Sequence, residues 1–348
     1  MIIESSNFKL KLEDFQKEDS IPLLTSETEK KVFWLVTKWI NGEKSFTFHT
    51  SGSTGTAKEV IISREKIITS TINTFSYLDK EHKIRSSLLC LDPQFIGGAM
   101  VVFRALIKNL NLYITNPSSD FVDHLPQNHR SDLVSVVPLQ YRQMDGNDLR
   151  RFKNVLIGGA PIAGQQEKKI SDTAIYATYG MTETVSHVAL RKVDEEYYQT
   201  TGDTKVSLDT SDRLQFQGTI TDHKLLKTND IGSAISDHKF RWLGRSDFVI
   251  NSAGIKVNPE TVERKLDEQI INSKFMVTSI PDQKLNEKVI LVVEGALKSP
   301  LDFSGLTRFE RPKEVYQDQK ILLTSSGKID RIATRKKFLD SRKDENTN

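Results

Sequence analysis

A loop rich in serine, threonine and glycine is the first feature of the chain that could do chemistry. It lies within FHTSGSTGTAKEV, residues 48–60, and places seven Ser, Thr or Gly residues in eight consecutive positions ahead of Lys58. Backbone N–H groups and hydroxyls of such a loop can surround a phosphate. The spacing does not fit the Walker sequence GxxxxGK(S/T), and a loop of this composition can equally be a surface linker. The stretch therefore indicates a phosphate site only in the company of other motifs.

Four further motifs place polar and charged side chains near predicted turns. YGMTET combines Tyr179 with two hydroxyls and Glu183, and TNDIG holds Asp230 between turn-forming residues. WLGRSDFVINSAG contains Arg245, and SSGKIDR contains Lys328. Each residue also has an ordinary structural explanation, as a core aromatic, a turn carboxylate, a surface ion pair or a solvated lysine. Taken together, the motifs favour a common site.

Strand-like and helix-like segments alternate over roughly residues 45–184. The alternation predicts an α/β fold, whose large N-terminal domain has mostly parallel sheets flanked by helices. Ligands bind such sheets at the carboxyl ends of the strands, so we expect the loops 50–55, 158–161 and 179–184 to meet at one edge. The predicted strands are SFTFH, SSLLCLD, NLYITN, DLVSVVP, KNVLIGGAP and AIYATYG, and the predicted helices are one starting near Ser63 and one over GGAMVVFRALIKNL.

The pattern changes twice after this region. Short strands such as VSHVALRKV and RLQFQGTI follow the YGMTET motif and predict a small antiparallel subdomain. A boundary near Gly244 then separates an N-terminal domain, residues 1–244, from a small α+β domain, residues 245–348. Asn258 and Pro259 fit the N-cap and first position of a helix over NPETVERKLDEQI. FMVTSIP, KVILVVEG and KEVYQD are the predicted strands of this domain, and DRIATRKKFLDSRK is its basic terminal helix.

Length and composition exclude several classes of protein. The 348-residue chain carries 49 Lys and Arg against 46 Asp and Glu, and a net charge of +3 is too balanced to predict a nucleic-acid-binding protein. Its one cysteine, Cys90, cannot form an internal disulfide framework or a cysteine metal site. No apolar run reaches 18 residues, and the N-terminus lacks the pattern of a signal peptide. We therefore expect a cytoplasmic protein without a membrane span, and the oligomeric state stays open.

The five motifs, in this order, resemble those of the adenylate-forming superfamily, which contains acyl-CoA synthetases and the adenylation enzymes of non-ribosomal peptide synthesis. The family sequence TSGSTGxPKGV is present as TSGSTGTAKEV, with Ala57 in place of proline and Glu59 in place of glycine. YGxTE, an aspartate motif, GRxDxxI and SGKxxR follow, over roughly residues 45–338. The resemblance implies a two-step reaction. A carboxylate attacks the α-phosphate of ATP and releases pyrophosphate, and a thiol then takes the acyl group from the adenylate.

The resemblance also implies partners and the roles of single residues. A small-molecule carboxylic acid, ATP, Mg²⁺ and coenzyme A would bind, with Glu183 as an oxygen ligand of the metal. Hydroxyls, N–H groups and Lys58 would stabilise the departing pyrophosphate. Lys328 would swing in with a mobile C-terminal domain and hold the carboxylate and the α-phosphate together. Asp247 would be the hinge residue about which that domain turns.

Nucleotide recognition is implied for residues on several of the motifs. Asp230 would accept hydrogen bonds from the ribose hydroxyls, Arg245 would donate to the same sugar, and Tyr179 would stack on the adenine. The implied set comprises Lys328, Thr182 and Glu183 as catalytic residues, and Thr50, Ser51, Gly52, Ser53, Thr54, Gly55, Lys58, Gly159, Ala160, Pro161, Tyr179, Gly180, Asp230 and Arg245 as ATP-binding residues.

The acyl pocket is expected around TVSHVALRK, after the YGMTET motif. The chain is short for the superfamily, and compact members of this kind resemble the o-succinylbenzoate–CoA ligases of menaquinone biosynthesis. An acid with an aryl ketone and a second carboxylate would suit polar and cationic partners, although the segment also fits a plain alternating strand. Asn229 and Ala253 stand at family glycine positions. The alternatives are another aryl- or acyl-CoA ligase, an adenylation enzyme that loads a carrier protein, and a nucleotide-binding module without turnover. The expected pocket residues are Phe95, Gly97, Ser186, His187 and Arg191.

Overall fold

A computed structural model describes residues 1–16, 24–49, 59–79, 83–160, 162, 170–267, 269–270, 273–324 and 329–345. The helices are α1 (Glu27–Ile40), α2 (Arg64–Leu78), α3 (Ile96–Lys108), α4 (Pro138–Gln143), α5 (Gly146–Leu149), α6 (Pro259–Leu266) and α7 (Arg331–Glu345). None of these helices is both long and apolar enough to cross a membrane. The strands are β1 (Ile2–Glu4), β2 (Lys9–Lys11), β3 (Ser45–His49), β4 (Glu59–Ser63), β5 (Ser86–Leu89), β6 (Asn111–Ile114), β7 (Ser131–Val136), β8 (Phe152–Ile157), β9 (Ala174–Gly180), β10 (His187–Lys192), β11 (Tyr198–Thr200), β12 (Lys205–Leu208), β13 (Arg213–Gln217), β14 (Leu226–Ser236), β15 (Lys239–Arg245), β16 (Ile250–Ser252), β17 (Ile255–Val257), β18 (Phe275–Asp282), β19 (Asn286–Val293) and β20 (Glu314–Tyr316).

Thirteen of the described strands form one sheet, in the order β12-β13-β14-β15-β11-β10-β9-β8-β7-β5-β6-β1-β2. From β9 to β1 all neighbouring strands are parallel. Successive residues on these strands face opposite cores: Leu133 belongs to the cluster that contains α1, α2 and α3, and Val134 belongs to the cluster around Tyr141. The parallel half of the sheet, β9 to β1, is therefore buried on both faces, as its apolar side chains on both sides require. The predicted parallel sheet is confirmed.

An antiparallel half continues the same sheet beyond β9. Strand β10 pairs antiparallel with β9, and β11, β15, β14, β13 and β12 extend the sheet in the same manner. The predicted antiparallel strands are therefore present, and they continue the parallel half in one sheet. The chain returns directly beside β9, and a Cβ atom on Gly180 would lie 1.9 Å from the Ser186 carbonyl oxygen. Glycine permits this close return, which keeps the ladder continuous.

Strand β3 does not belong to the parallel sheet, contrary to expectation. It pairs antiparallel with β4 in a separate two-stranded ladder, in which His49 lies opposite Glu59. The side chains of β3 explain this, because Phe46 and Phe48 alternate with polar residues and only one face is apolar. The Phe46 ring packs 4.7 Å from that of Phe103 on α3. Residues 50–58, between β3 and β4 in the sequence, lie outside the described residues.

The C-terminal strands form their own five-stranded sheet, in the order β17-β16-β19-β18 with β20 beside β19. Its core contains Val262 and Leu266 of α6 packed with apolar residues of β18 and β19. The predicted strands and helices of this region are present. Asn258 precedes α6 as expected, but its side chain makes no capping hydrogen bond. It lies instead against Gly244, where a Cβ atom would approach the Asn258 side chain to 2.2 Å.

Candidate active site

Two of the three predicted loops meet at the carboxyl edge of the parallel strands. Strands β8 and β9 are paired up to Ile157, so the residues that follow β8 lie beside the end of β9. A Cβ atom on Gly158 would be 2.5 Å from the Thr178 hydroxyl, and Gly159 has a φ of +91°, a region that favours glycine. The structure thus places Gly158 beside Thr178, near the end of β9, with Gly159 and Ala160 next in the chain. Pro161 and the loop Thr50 to Lys58 lie outside the described residues.

A hydrogen-bonded group on β9, β14 and β15, here called the nucleotide-side cluster, consists of Tyr179, Asp230 and Trp242. The Tyr179 hydroxyl donates to Asp230 Oδ2 at 2.7 Å, and Trp242 Nε1 donates to Asp230 Oδ1 at 3.1 Å. Asp230 is buried. Burial, followed by the neighbouring Asp230 carboxylate, raises the pKa of Tyr179 well above its ordinary value, so the phenol stays protonated. The Tyr179 ring also packs against Tyr198, Phe216 and Phe240.

Arg245 lies opposite Asp230 in the pairing of β14 with β15. Its guanidinium donates to Asp247, through Nε at 3.1 Å and through Nη2. Asn229, at a family glycine position, donates to the other oxygen of Asp247 at 3.0 Å. The predicted ribose-binding pair is therefore adjacent. Asp247, the predicted hinge residue, therefore accepts hydrogen bonds from Asn229, which precedes Asp230 in the sequence, and from Arg245, which lies opposite Asp230.

Thr182 and Glu183 lie on a short 3₁₀ turn that follows β9 directly. Glu183 is exposed, whereas Thr184 is buried and its hydroxyl lies within hydrogen-bond distance of the backbone carbonyls of Met181 and Ser186. Val185 has a φ of +69°, a strained conformation for a β-branched residue. The turn thus holds one carboxylate and one hydroxyl at the sheet edge. Such a donor set fits Mg²⁺, which usually binds one or two carboxylates and completes its shell with water and substrate phosphates.

A second polar group lies next to this turn and is here called the acyl-side cluster: Thr74, Arg104, Ser186 and His187. His187 pairs with Gly180 in the ladder of β9 and β10, so the cluster adjoins the nucleotide-side residues. His187 is buried, with Nε2 2.9 Å from the Thr74 hydroxyl and Nδ1 3.5 Å from Arg104 Nη2. Burial, followed by the charge of Arg104, holds the pKa of His187 well below its ordinary value, so the imidazole is neutral.

Arg104 is a buried cation without a carboxylate partner among the described residues. It is 2% exposed, its Nη2 lies 3.4 Å from the Ser186 hydroxyl, and its Nε has no hydrogen-bond partner. Burial lowers its pKa to about 10, which leaves the guanidinium charged at neutral pH. The buried hydroxyls of Ser70 and Thr71, about one turn before Thr74 on α2, also have no hydrogen-bond partner within the ranges that the structure describes. An unpaired buried charge is costly, so this cluster is chemically suited to an anionic group.

The remaining pocket predictions fare differently. Phe95 is the residue before α3 and is 36% exposed, and Gly97 follows it in the first turn. Arg191, by contrast, is not part of the cluster. Its guanidinium donates to the Glu195 carbonyl at 2.5 Å and lies 5.4 Å from the Tyr198 ring, because its side chain turns to the loop after β10. The cation that the structure places beside Ser186 and His187 is Arg104. Lys328 lies outside the described residues.

Comparisons with known proteins place the chain in a class. Residues 13–210 match the family described as AMP-binding enzyme, and the chain belongs to that family. This confirms the resemblance to the adenylate-forming superfamily. More particularly, a 2-succinylbenzoate–CoA ligase of Listeria monocytogenes is 24% identical over 344 residues, which cover 88% of this chain and 73% of that protein.

Solved structures agree with this placement. An acyl-CoA synthetase (AMP-forming)/AMP-acid ligase II-like protein of Dyadobacter fermentans is 29% identical with a TM-score of 0.60, over 92% of this chain and 97% of that chain. The o-succinylbenzoate coenzyme A synthetase of Bacillus subtilis, in complex with ATP and magnesium ion, is 17% identical with a TM-score of 0.69, over 83% and 69% of the two chains. The second likeness shows a shared fold.

Proposed function

We propose that the protein is an AMP-forming acid–CoA ligase and that its acid is o-succinylbenzoate. Membership of the AMP-binding enzyme family supports adenylate formation. The observation that carries the choice of acid is Arg104, a buried guanidinium beside neutral His187 with no carboxylate partner in the described part of the chain. An acid with a second carboxylate would pair with that charge, whereas a plain aryl or fatty acid would leave it unpaired.

The nucleotide would bind along the carboxyl edge of the sheet. Asp230 and Arg245 would receive the ribose, and the loop residues Gly159 and Ala160 would lie against the adenine with Tyr179. Mg²⁺, held by Glu183 next to Thr182, would neutralise charge on the phosphates. The loop 50–58 would surround the β- and γ-phosphates. These roles remain proposals, and those of Lys58, Pro161 and Lys328 concern residues outside the described part of the chain.

The proposed reaction is the two-step one that membership of the AMP-binding enzyme family implies. A carboxylate oxygen of the acid would attack the α-phosphorus of ATP, the bond to the bridging oxygen would break, and pyrophosphate would leave. Lys328 would bring its charge to the carboxylate and the α-phosphate in this step. The thiolate of coenzyme A would then attack the acyl carbonyl and expel AMP. Because His187 pairs with Gly180, an acid held by the acyl-side cluster would extend toward the nucleotide.

The proposal is tested by pyrophosphate release with ATP, Mg²⁺ and a panel of acids, followed by addition of coenzyme A or a carrier protein. We expect o-succinylbenzoate to exceed benzoate and hexanoate in kcat/KM by about a hundredfold or more, because a site built to pair polar groups rejects analogues that lack them. Comparable kcat/KM values for the three acids would discard the choice of acid. Transfer only to a carrier protein would indicate a loading enzyme, and no pyrophosphate with any acid would indicate a binding module.

A further inference from the structure

Trp242 connects the carboxylate of the nucleotide-side cluster to the C-terminal part of the chain. On one side its Nε1 donates to Asp230 Oδ1 at 3.1 Å. On the other side the guanidinium of Arg264, on α6, lies 5.7 Å from the centre of its ring. The next residue along β15, Leu243, accepts a 2.8 Å hydrogen bond from the Thr261 hydroxyl, also on α6. The Trp242 indole therefore contacts α6 on one side and donates a hydrogen bond to Asp230 on the other.

Because two donors already bind the Asp230 carboxylate, the number of further hydrogen bonds that it can accept from a ligand is limited. Each carboxylate oxygen has two lone pairs, and one pair of each oxygen is used, by Tyr179 on Oδ2 and by Trp242 on Oδ1. One further hydrogen bond can therefore be accepted on each oxygen. The terminal torsion of an aspartate is broad when nothing restrains it. Two donors on opposite oxygens fix the plane of the carboxylate, and both remaining lone pairs keep a constant direction.

We infer that Trp242 is a positioning residue for the nucleotide. Its indole N–H holds the Asp230 carboxylate in the orientation that accepts two vicinal hydroxyls, and Arg264 of α6 holds the indole. The inference rests on the proposed function, in which Asp230 binds the ribose. It goes beyond that function because it assigns recognition of the 2′- and 3′-hydroxyls to a residue that does not touch the nucleotide, and it includes α6 in nucleotide binding.

The test compares equilibrium binding of ATP and of 2′,3′-dideoxy-ATP, by calorimetry, to the wild-type chain and to Trp242→Phe. Phenylalanine keeps an aromatic ring and removes the donor. Because hydrogen bonds to charged groups are among the stronger ones, we expect Kd for ATP to rise about tenfold, while Kd for the dideoxy nucleotide changes less than about twofold. Arg264→Met should raise Kd for ATP alone by about two- to fivefold, in line with a cation–π contact.

Trp34→Phe is the matched control, since Trp34 is half exposed on α1 and contacts Lys38. It should leave both dissociation constants unchanged. An equal rise for both nucleotides in Trp242→Phe, or no rise for either, would overturn the assignment, and so would a wild-type chain that binds the two nucleotides equally. An unchanged Kd in Arg264→Met would overturn the part assigned to α6. Binding needs no turnover, so a chain that binds ATP but releases no pyrophosphate would contradict the proposed ligase and leave this comparison decisive.

Discussion

The nucleotide-side and acyl-side clusters adjoin each other on the same sheet, yet their hydrogen bonding differs. In the first, both oxygens of Asp230 receive a donor, at 2.7 and 3.1 Å. In the second, the described residues give Arg104 two contacts, of 3.4 and 3.5 Å, and no hydrogen-bond partner for its Nε. A carboxylate with its donors in place is already oriented. A buried guanidinium without a counter-ion is incomplete until an anion enters.

From this difference we expect the acyl-side cluster to carry the specificity of the proposed site. The nucleotide-side residues would stabilise the fold as well as the proposed nucleotide, because Asp230 is hydrogen-bonded within the chain and Tyr179 packs against Phe216 and Phe240. Arg104 in the acyl-side cluster should lower the free energy of unfolding, and only binding of an anion should offset that destabilisation. We therefore expect mutations in the two clusters to affect stability with opposite signs.

The largest effect is expected for Lys328→Ala, since this residue is proposed to serve the junction of both clusters. Adenylate formation should fall about a hundredfold or more, because an electrostatic contact to the developing charge is lost. Thioester formation from supplied acyl-adenylate should be nearly unchanged. Rapid-quench measurement of the two half-reactions checks this, with Lys320→Ala as a control. An equal loss in both half-reactions would mean that the role of the lysine is misassigned.

Arg104→Met should raise the free energy of unfolding by about 1–4 kcal/mol, because a buried unpaired charge is replaced by an apolar side chain of similar length. Urea unfolding measures the change. Lys108→Met is the control on the same helix, where the lysine forms a partly exposed ion pair with Asp79 and should matter little. Destabilisation of Arg104→Met would show that the guanidinium is well compensated, and the contrast between the clusters would disappear.

Asp247→Pro should slow thioester formation about tenfold more than adenylation. Proline fixes φ near −65°, and the proposed hinge would then be restricted to one arrangement of the C-terminal domain. Asp247→Ala separates this effect from the loss of the hydrogen bonds to Asn229 and Arg245. Equal changes in the two half-reactions of the proline variant would remove the hinge assignment.

Glu260 is a useful comparison with Arg104, because it too has a buried polar atom without a hydrogen-bond partner among the described residues, yet it is not expected to bind a ligand. The atom is Oε2. Burial raises the pKa of Glu260 to about 7; the charge of Arg331 opposes this rise, and the charge of Glu263 adds to it. The native state therefore binds this proton more tightly than the unfolded state, and stability should fall as pH rises from about 4.5 to 7. A carboxyl group can be neutralised in this way, whereas Arg104 stays charged.

Glu260→Gln should abolish that dependence. The variant should be more stable than the wild type by about 1–3 kcal/mol at pH 8 and nearly equal to it at pH 5. The difference in free energy of unfolding between the two proteins, followed by urea titration across this range, measures the effect. A difference that does not vary with pH would mean that Glu260 is ionised throughout.

Much of the fold could be predicted because strands and helices of the chain have clear periodicity and clear ends. The predicted strands over SSLLCLD and KNVLIGGAP, for example, are present. Helix α1 was not predicted, although Ser26 and Glu29 form a capping box, a pattern visible as S-x-x-E in the sequence. The partner of β3 could not be inferred, because pairing depends on tertiary contacts that its five residues do not encode.

The acyl-side cluster shows why site prediction from sequence was partial. Ser186 and His187 were expected because they follow a recognisable motif. Thr74 is 113 positions from His187 and carries no local signal. Arg104 did carry a local signal, because an arginine inside the otherwise apolar segment GGAMVVFRALIK is buried when that helix is buried. Arg191 was chosen by proximity in sequence, and only the structure shows that its side chain turns to the loop after β10.

The most direct measurement of the central claim is the ratio of kcat/KM for o-succinylbenzoate to that for benzoate, in the wild-type chain and in Arg104→Met. We predict a ratio of about a hundred or more in the wild type and a fall to within about tenfold of unity in the variant, with the benzoate value nearly unchanged. A ratio that survives the loss of Arg104, or that is near unity in the wild type, would contradict the account.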